Sequence, residues 1–252
     1  MHDPESGKPL RGRVVVITRP AGTAAALARR VRGDGGVPQL LPGLSLRGAA
    51  DAAAMRTQLR AALAGDLLVF ASPAAVRFAA ALAPLRTGAT VLAVGRGTAQ
   101  ALRRHGVSAQ VPSRQDSEGL LQLPAATALR GKRVALIGAP GGRGVLRDQL
   151  AARGARLCEL QVYRRVPPRL DRRHVAAVLA LPRSARVLLS SAEALQNLAN
   201  LLPAPALARL RAAVAVVSSA RLAQAARAAG FTRFVQAESA LAADLLAAAA
   251  RR

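Results

Sequence analysis

Small hydroxyl-bearing, basic and glycine residues stand directly after short apolar runs in this chain. Where a strand of a parallel sheet ends and a helix begins, free backbone N–H groups and the positive end of the helix dipole favour carboxylates or phosphates. Residues of this kind at such places are Arg19, Ser72, Arg96, Thr98, Gly142, Arg143, Ser190, Ser191, Ser218 and Arg221. Serine and threonine are also preferred N-caps of any helix, so capping is the alternative for each hydroxyl. Taken together, the turns predict an anion-lined site.

The glycine-rich turn GAPGGRG at residues 138–144 has the layout of a phosphate-binding loop, since it follows VALI and precedes VLRDQL. A Walker A loop requires a lysine followed by serine or threonine after its glycines, and none is present here. The dinucleotide fingerprint GxGxxG does not fit the spacing of Gly138, Gly141, Gly142 and Gly144. We therefore interpret the turn as a site for another anion rather than as a nucleotide loop.

Residues for metal or covalent chemistry are scarce. The histidines His2, His105 and His174 do not stand near the single cysteine, Cys158, or near an acidic pair at metal-ligand spacing. No serine occupies a GxSxG nucleophile elbow, and the acidic residues are few and isolated. The residues therefore predict no metal site, no nucleophilic serine and no pair of catalytic carboxylates.

The cysteine count and the start of the chain indicate a compartment. A single cysteine excludes an internal disulfide and fits the reducing cytoplasm. The polar start, MHDPESGKPLRGR, lacks the apolar stretch of a signal peptide, and no run approaches the roughly 20 apolar residues of a membrane span. The expectation is a soluble cytoplasmic protein without membrane contact.

The formal net charge of +24 comes almost wholly from arginine. Such a charge is typical of proteins with an anionic partner, and a general preference for arginine and alanine is the alternative explanation. The arginines are scattered rather than clustered, and the chain has four Phe, one Tyr and no Trp. Because nucleic-acid modules stack bases on aromatic side chains, we expect no nucleic-acid partner.

Apolar runs alternate with alanine-rich helical stretches along the chain. Strands are predicted at 14–18, 67–71, 91–94, 134–137, 187–190 and 214–217, and helices at 22–36, 72–83, 97–106 and 117–124. The continuous apolar character of the runs is typical of parallel strands that are covered on both faces. This alternation predicts an α/β fold with right-handed crossovers.

The two halves of the chain resemble each other in four segments that keep the same order. Residues 14–36 match 134–155, 69–82 match 188–201, 91–107 match 214–231, and 116–124 faintly match 238–246. We interpret this as an internal duplication that gives two similar α/β lobes, whose cleft is the default ligand site. The extended segments 37–46 and 155–168 occupy equivalent places and are candidate connectors between the lobes.

Taken in order, these motifs resemble the bacterial uroporphyrinogen-III synthase family over nearly the whole chain from Val14. The segments that carry the resemblance include VITRP, LLPGLSL, VFASPAAVRFA, VPSRQDSEGLLQLP, VYRR and VLLSSAEALQNL. In the glycine-rich turn, Ala139 takes a family glycine position and Gly144 stands where glutamate is common. Ala71 replaces the threonine that usually precedes the serine at position 72.

The resemblance implies a monomer of two three-layer lobes with parallel sheets, joined by a two-stranded β-ladder, whose lobes exchange their first βα units. Lobe 1 would combine residues 1–38 and 167–252, lobe 2 would span 46–155, and segments 39–45 and 156–166 would be the connector strands. The implied reaction cyclises hydroxymethylbilane to uroporphyrinogen III without a cofactor, with loss of water and inversion of ring D. This polycarboxylate, supplied by the preceding pathway enzyme, would suit anion-favouring turns.

Tyr163, the only tyrosine, matches the tyrosine that the family is thought to place near the leaving hydroxyl group. We expect its phenol to donate a proton or a hydrogen bond to the departing water, and packing of the connector is the alternative. Thr98 matches a position at which the family carries a hydroxyl-bearing residue. Ser117 in VPSRQDSEGLLQLP is a further substrate-binding candidate. The alternative function is a two-lobed module that binds an anionic metabolite without catalysis.

Overall fold

Strands and helices alternate along the chain. The structure, a computed structural model, describes residues 7–141 and 144–251. The strands are β1 Val14–Ile17, β2 Val37–Leu40, β3 Ser45–Gly48, β4 Leu67–Phe70, β5 Thr90–Ala93, β6 Arg133–Gly138, β7 Arg156–Gln161, β8 Tyr163–Val166, β9 Arg186–Leu188, β10 Val214–Val217 and β11 Phe234–Gln236. The helices are α1 Ala25–Gly33, α2 Ala52–Leu63, α3 Pro73–Leu82, α4 Arg96–Arg103, α5 Ser117–Leu120, α6 Val145–Ala152, α7 Arg172–Leu179, α8 Ala192–Leu201, α9 Ala204–Arg211, α10 Ala220–Ala228 and α11 Ala242–Ala250. A short 3-10 helix covers Pro124–Ala126.

These elements form two compact units. Unit 1 comprises Met1–Leu46 and Val166–Arg252, and unit 2 comprises Arg47–Arg165. Unit 1 is therefore built from two separate stretches of the chain, whereas unit 2 is one continuous stretch.

Unit 1 contains a five-stranded parallel sheet in the order β11–β10–β9–β1–β2. Successive residues of a strand point to opposite faces of the sheet. Val16 and Val187 accordingly pack in an apolar cluster with α7, α8, α9 and α10, whereas Val15 and Leu188 pack in a second cluster with α1 and α11. Helices therefore cover both faces of this sheet and give the unit three layers.

Unit 2 contains a four-stranded parallel sheet in the order β5–β4–β6–β7. Gln110 adds a parallel bridge to Leu92 beside β5. Leu67 and Val69 of β4 pack in an apolar cluster that includes α5 and α6. Helices α2, α3 and α4 also contact the strands and pack on one another.

The two large sheets share one strand order. In unit 1, β1 and β2 lie beside β9 and β10, and in unit 2, β6 and β7 lie beside β4 and β5. Each sheet therefore combines one strand pair from one half of the chain with strands from the other half. A duplication with exchanged first βα units requires such a shared order and stays a prediction.

A third sheet contains two antiparallel strands, β3 and β8. Both unit boundaries fall inside these strands. The predicted connector segments 39–45 and 156–166 overlap β3 and β8, and each also overlaps an edge strand of a large sheet. At the first segment, β2 extends to Leu40 in the sheet of unit 1. Residues 156–161 are β7, an edge strand of the sheet of unit 2, because they pair with β6 over their whole length.

The six predicted strands are confirmed as β1, β4, β5, β6, β9 and β10, and the four predicted helices as α1, α3, α4 and the short α5. The edge strands β2, β7 and β11 were not predicted as sheet strands. Their side chains are mostly partly or fully exposed, as at Val37, so they lack the continuous apolar run of a central strand. Within the described residues, none of the helices is long and apolar enough to cross a bilayer.

Two arginines hold the C-terminal helix α11 against the sheet of unit 1. Arg186 of β9 is only 6% exposed, and its guanidinium donates to the carbonyls of Ser184, Ala249 and Arg251. Arg13 donates to the carbonyls of Ala249 and Arg251 as well. Burial, more than the neighbouring positive charges, lowers the pKa of Arg186. The carbonyl groups at a helix C-terminus favour cations, so the arginines stabilise the end of α11.

Arg186→Ala is expected to lower the free energy of unfolding by about 2–3 kcal/mol, because it removes three hydrogen bonds that a buried guanidinium donates to backbone carbonyls. Urea denaturation measures this loss. Arg233→Ala is the matched control, since the exposed Arg233 also donates to backbone carbonyls. That change should stay within about 0.5 kcal/mol, and equal losses in both variants would contradict a specific role for Arg186.

Gly43, in the loop after β2, lies against the first turn of α8. Its N–H donates to the carbonyl of Thr18 at 3.1 Å, and the Asn197 side-chain amide donates to the Gly43 carbonyl at 2.9 Å. A Cβ at position 43 would lie 2.5 Å from the Cβ of Ala194 and 2.8 Å from its carbonyl oxygen. Position 43 therefore requires a residue without a Cβ, because the loop passes between the end of β1 and the first turn of α8.

Gly43→Ala is expected to destabilise the protein by about 1–3 kcal/mol, because the added methyl group forces the loop away from α8. Gly88→Ala is the control, since no atom lies within 4 Å of a Cβ at that position. Thermal unfolding of the two variants should show a lowered midpoint only for Gly43→Ala. A normal midpoint in that variant would show that the close approach does not constrain the fold.

Candidate functional site

A pair of hydroxyl groups lies after the carboxyl end of β4 in unit 2. The Oγ of Ser72 and the Oη of Tyr163 are 3.1 Å apart, and either can donate. Ser72 Oγ also accepts a hydrogen bond from the N–H of Ala75 at 3.1 Å, as the N-cap of α3. The Tyr163 ring stacks on Phe78 of α3 with ring centroids 5.4 Å apart. Tyr163 is 8% exposed, so α3 holds both its hydroxyl group and its ring.

The local sequence explains why Ser72 takes this position. Pro73 favours an extended backbone at the residue before it, and Ser72 has φ −166° and ψ 161°. Proline is also well suited to the first position of a helix, where its missing N–H has no partner to lose. The pair Ser-Pro therefore ends the turn after β4 and starts α3 with the serine hydroxyl as its cap.

A cavity of about 400 Å³ lies beside the glycine-rich turn of unit 2. Its lining residues come from the turn after β4, from β6 and β7 and the turn after β6, and from the starts of α5 and α6. They are Ala71, Ser117, Leu136, Gly138, Ala139, Pro140, Gly141, Gly144, Val145, Leu146, Arg147, Glu159, Leu160 and Gln161. The predicted site residue Ser117 thus faces this cavity, and Ala71 places it next to Ser72. Gly142 and Arg143, both predicted to bind a ligand, lie outside the described residues.

Arg165 connects β8 with the glycine-rich turn. Its Nη2 donates to the carbonyl of Pro140 at 2.8 Å. Gly141 has φ +81°, and a Cβ there would lie 3.0 Å from the same nitrogen. Side chains two residues apart share one face of a strand, so Tyr163 and Arg165 link β8 to two neighbouring turns. Arg165 was not among the predicted site residues, although its position two residues after Tyr163 places it on the same face of the strand.

Arg96 and Thr98 both lie in the first turn of α4, but only Arg96 is exposed. Thr98 is 2% exposed, because it lies on the buried side of the helix with Ala99 and Leu102. A ligand contact of its hydroxyl group stays a prediction. The N–H of Arg96 donates to Gln115 Oε1 at 2.8 Å, so Gln115, another residue that sequence analysis missed, occupies this helix start.

In unit 1, hydroxyl groups join the ends of the neighbouring strands β1 and β9. The fully buried Thr18 donates from Oγ1 to the carbonyl of Leu188 at 2.9 Å and accepts from the N–H of Ser190 at 3.0 Å. Ser190 Oγ donates in return to the Thr18 carbonyl at 3.0 Å. The hydroxyl proton of Ser190 is thus used within the protein, so Ser190 can offer a ligand only its acceptor electron pairs.

The other candidates of unit 1 lie at the starts of α8 and α10. Ser191 is the N-cap of α8, and its Oγ accepts from the N–H of Ala194 at 3.0 Å. Ser218 is half-buried beside Ser219, which caps α10, and Arg221 is exposed in the first turn of that helix. Capping uses a hydroxyl oxygen as acceptor and leaves the proton available, so it does not exclude a ligand contact.

Arg19 follows β1 and is half-buried. Within the described part of the chain, its guanidinium has no hydrogen-bond or ion-pair partner. Burial lowers the pKa of Arg19 through loss of solvation. Since arginine stays charged in proteins, a carboxylate from a ligand would relieve the cost of this partial desolvation.

Among the residues that the structure describes, acidic and histidine side chains do not gather into a metal site. Across residues 7–141 and 144–251, no group of three or more His, Cys, Asp or Glu side chains could hold a metal ion. His174 instead forms a capping box with Asp171 at the start of α7. Hydrogen bonds from the backbone N–H and the side chain of His174 lower the pKa of Asp171.

Solved structures from bacteria share this fold. The structure of uroporphyrinogen-III synthetase from Helicobacter pylori 26695 matches with a TM-score of 0.63 at 14% identity, over 93% of this chain and 97% of that one. A mutant uroporphyrinogen III synthase from the extremely thermophilic bacterium Thermus thermophilus matches with a TM-score of 0.57 at 22% identity, over 94% of this chain and 96% of that one. These matches show a shared fold.

Sequence comparison extends the likeness from fold to family. Uroporphyrinogen-III synthase of Escherichia coli (strain K12) is 32% identical over 198 residues, which cover 75% of this chain and 80% of that protein. The enzyme of Salmonella typhimurium (strain LT2) is 32% identical over 203 residues with the same coverage. A model of the family described as uroporphyrinogen-III synthase HemD matches residues 25–247. Since this match covers most of the chain, the chain belongs to the uroporphyrinogen-III synthase family.

Proposed function

We propose that this chain cyclises hydroxymethylbilane to uroporphyrinogen III in tetrapyrrole and haem biosynthesis, with loss of water and inversion of ring D. The observation that carries this proposal is the family match over residues 25–247, which includes most of both units. A linear tetrapyrrole that closes at its two ends requires an enzyme to hold a conformation rather than to supply a strong nucleophile. The scarcity of nucleophile and metal motifs in the sequence agrees with such a task.

The polar residues at the carboxyl edges of the two sheets suit a polycarboxylate substrate. Arg19 is a partly desolvated cation without a partner among the described residues. Arg96 and Arg221 are exposed in the first turns of α4 and α10, where the helix dipole also favours an anion. We assign these three side chains to the acetate and propionate groups of the bilane, and Ser117 to a contact within the cavity of unit 2.

The departing hydroxyl group needs a hydrogen-bond donor. The Ser72 and Tyr163 pair offers two hydroxyl groups at the carboxyl edge of a parallel sheet, where ligands of α/β proteins bind. We assign this pair to the loss of water from the hydroxymethyl group. Thr98 is left out of the proposed site because its side chain is buried.

We further propose that the enzyme acts as a monomer in the cytoplasm, where the preceding enzyme of the pathway supplies the bilane. The single cysteine, Cys158, is an exposed free thiol, which suits a reducing compartment. Size-exclusion chromatography with light scattering should give the mass of one chain, 26.0 kDa. A mass of two chains would contradict the monomer.

A coupled isomer assay tests the function. The preceding enzyme of the pathway is added to the mixture to supply hydroxymethylbilane, and chromatography of the oxidised products separates the type I and type III isomers. We expect mainly uroporphyrinogen III with the chain and only the type I isomer without it. Formation of the type I isomer alone, together with measurable binding of the bilane, would instead favour a binding module without catalysis.

Arg19→Gln is expected to raise KM about 10-fold with little change in kcat, because it removes one charge-assisted hydrogen bond to a substrate carboxylate. The difference from wild type should shrink as salt is added. Arg32→Gln, on the exposed last turn of α1, is the control and should leave KM unchanged. A normal KM for Arg19→Gln would remove Arg19 from the site.

A further inference from the structure

The distances around Ser72 do not fix which hydroxyl group donates in its hydrogen bond with Tyr163. A hydroxyl group can donate one hydrogen bond and accept two. Ser72 Oγ accepts from the N–H of Ala75 at 3.1 Å and lies 3.1 Å from the Oη of Tyr163. The bond to Tyr163 can therefore run either way, and its direction decides which of the two hydroxyl groups has a free proton.

Burial favours donation from Tyr163 to Ser72. Tyr163 is 8% exposed, and Ser72 is the hydrogen-bond partner of its Oη among the described residues. A phenol that did not donate to Ser72 would leave its proton without a partner in a buried place, which is unfavourable. Ser72 is half-buried and so can direct its own proton outward. Ser72 Oγ then accepts twice and donates once, which uses its full capacity.

Ring stacking holds Tyr163 in the orientation that directs its hydroxyl group at Ser72. The ring of Tyr163 stacks on Phe78 with an interplanar angle of 13°, and the guanidinium of Arg77 lies 4.9 Å from the Phe78 ring centroid. Ser72 and Phe78 both belong to the β4–α3 segment, so one rigid helix holds the phenol at its ring and at its hydroxyl group.

We propose that Ser72 is the residue that donates a proton to the leaving hydroxyl group, and that Tyr163 acts through Ser72 as a positioning and proton-supplying residue. This inference rests on the proposed synthase function. The order runs from Tyr163 Oη to Ser72 Oγ to the substrate oxygen. Ser72 is therefore the catalytic residue of the pair, in place of the expected Tyr163.

The step balances in protons and electrons. The Ser72 proton moves to the hydroxyl oxygen of the substrate, the C–O bond breaks, and its electron pair leaves with the oxygen as water. The Tyr163 proton moves to Ser72 Oγ, and the negative charge stays on the phenol, which is a stronger acid than an alcohol. Ring closure later releases one proton from a pyrrole carbon, and this proton restores Tyr163. No oxidant or further reactant is needed.

Single and double variants test the order. Ser72→Ala is expected to lower kcat about 100-fold, and Tyr163→Phe about 10-fold because the serine proton stays in place, with KM little changed in both. The double variant Ser72→Ala/Tyr163→Phe should match Ser72→Ala within about 2-fold, because a residue that acts only through Ser72 adds nothing once Ser72 is gone. The inference would be overturned if the loss of kcat in the double variant equalled the product of the two single losses. A greater loss in Tyr163→Phe than in Ser72→Ala would also overturn it.

Three further variants separate the proton from the helix cap. Ser72→Thr keeps both the hydroxyl group and the cap and should restore kcat to within about 5-fold of wild type. Ser72→Gly keeps most of the capping preference but lacks the hydroxyl group, and it should be as slow as Ser72→Ala. Asp51→Ala removes the N-cap of α2 in the same unit and should leave kcat unchanged. Normal activity in Ser72→Gly would overturn the proposal.

The tyrosine absorption band gives a readout that does not depend on turnover. Tyr163 is the only tyrosine and the chain has no tryptophan, so the band reports this phenol alone. We expect the band to shift in Ser72→Ala and Ser72→Gly, which remove the acceptor, and to stay unchanged in Ser72→Thr and Asp51→Ala. An unchanged band in Ser72→Ala would show that Tyr163 does not donate to Ser72 and would overturn the inference. A wild-type chain that forms no uroporphyrinogen III would overturn the proposed function itself, whereas multiplied losses overturn only the order of the two residues.

Discussion

Parallel pairing brings the carboxyl ends of neighbouring strands to one edge of each sheet, and most candidate ligand residues depend on this constraint. In unit 2, the N–H of Ala71 donates to the carbonyl of Ile137 at 3.0 Å, one step beyond the paired strands β4 and β6. The Ser72 turn and the glycine-rich turn are therefore neighbours although they are far apart in sequence. In unit 1, Thr18 and Ser190 make the same kind of link between β1 and β9.

Capping and ligand binding are compatible uses of one serine, because they draw on different parts of the hydroxyl group. Ser72 and Ser191 both accept a backbone N–H at the start of a helix, as any capping serine does. The difference between them is the second partner, since Tyr163 lies 3.1 Å from Ser72 Oγ. The surroundings of a cap, rather than the cap itself, decide whether its proton is available for chemistry.

The sequence by itself determined the alternation of strands and helices, the parallel character of the central strands and the family. Central strands carry unbroken apolar runs because both of their faces are covered, and this signal is local. Edge strands such as β2 and β7 lack it, which is why they were not predicted as strands of the two large sheets. Motif order along the chain also indicated the family before any contact was known.

Only the tertiary structure decided which candidate residues meet. Arg96 is exposed and Thr98 is buried because packing sets which side of α4 faces the sheet. The contact between Ser72 and Tyr163 joins two strand ends through the pairing of other strands, and no spacing along the chain reports it. The sequence thus identified the candidate hydroxyl groups. Which of them bond to each other depends on the fold, because a hydrogen bond requires a distance and a direction that only the packed sheet supplies.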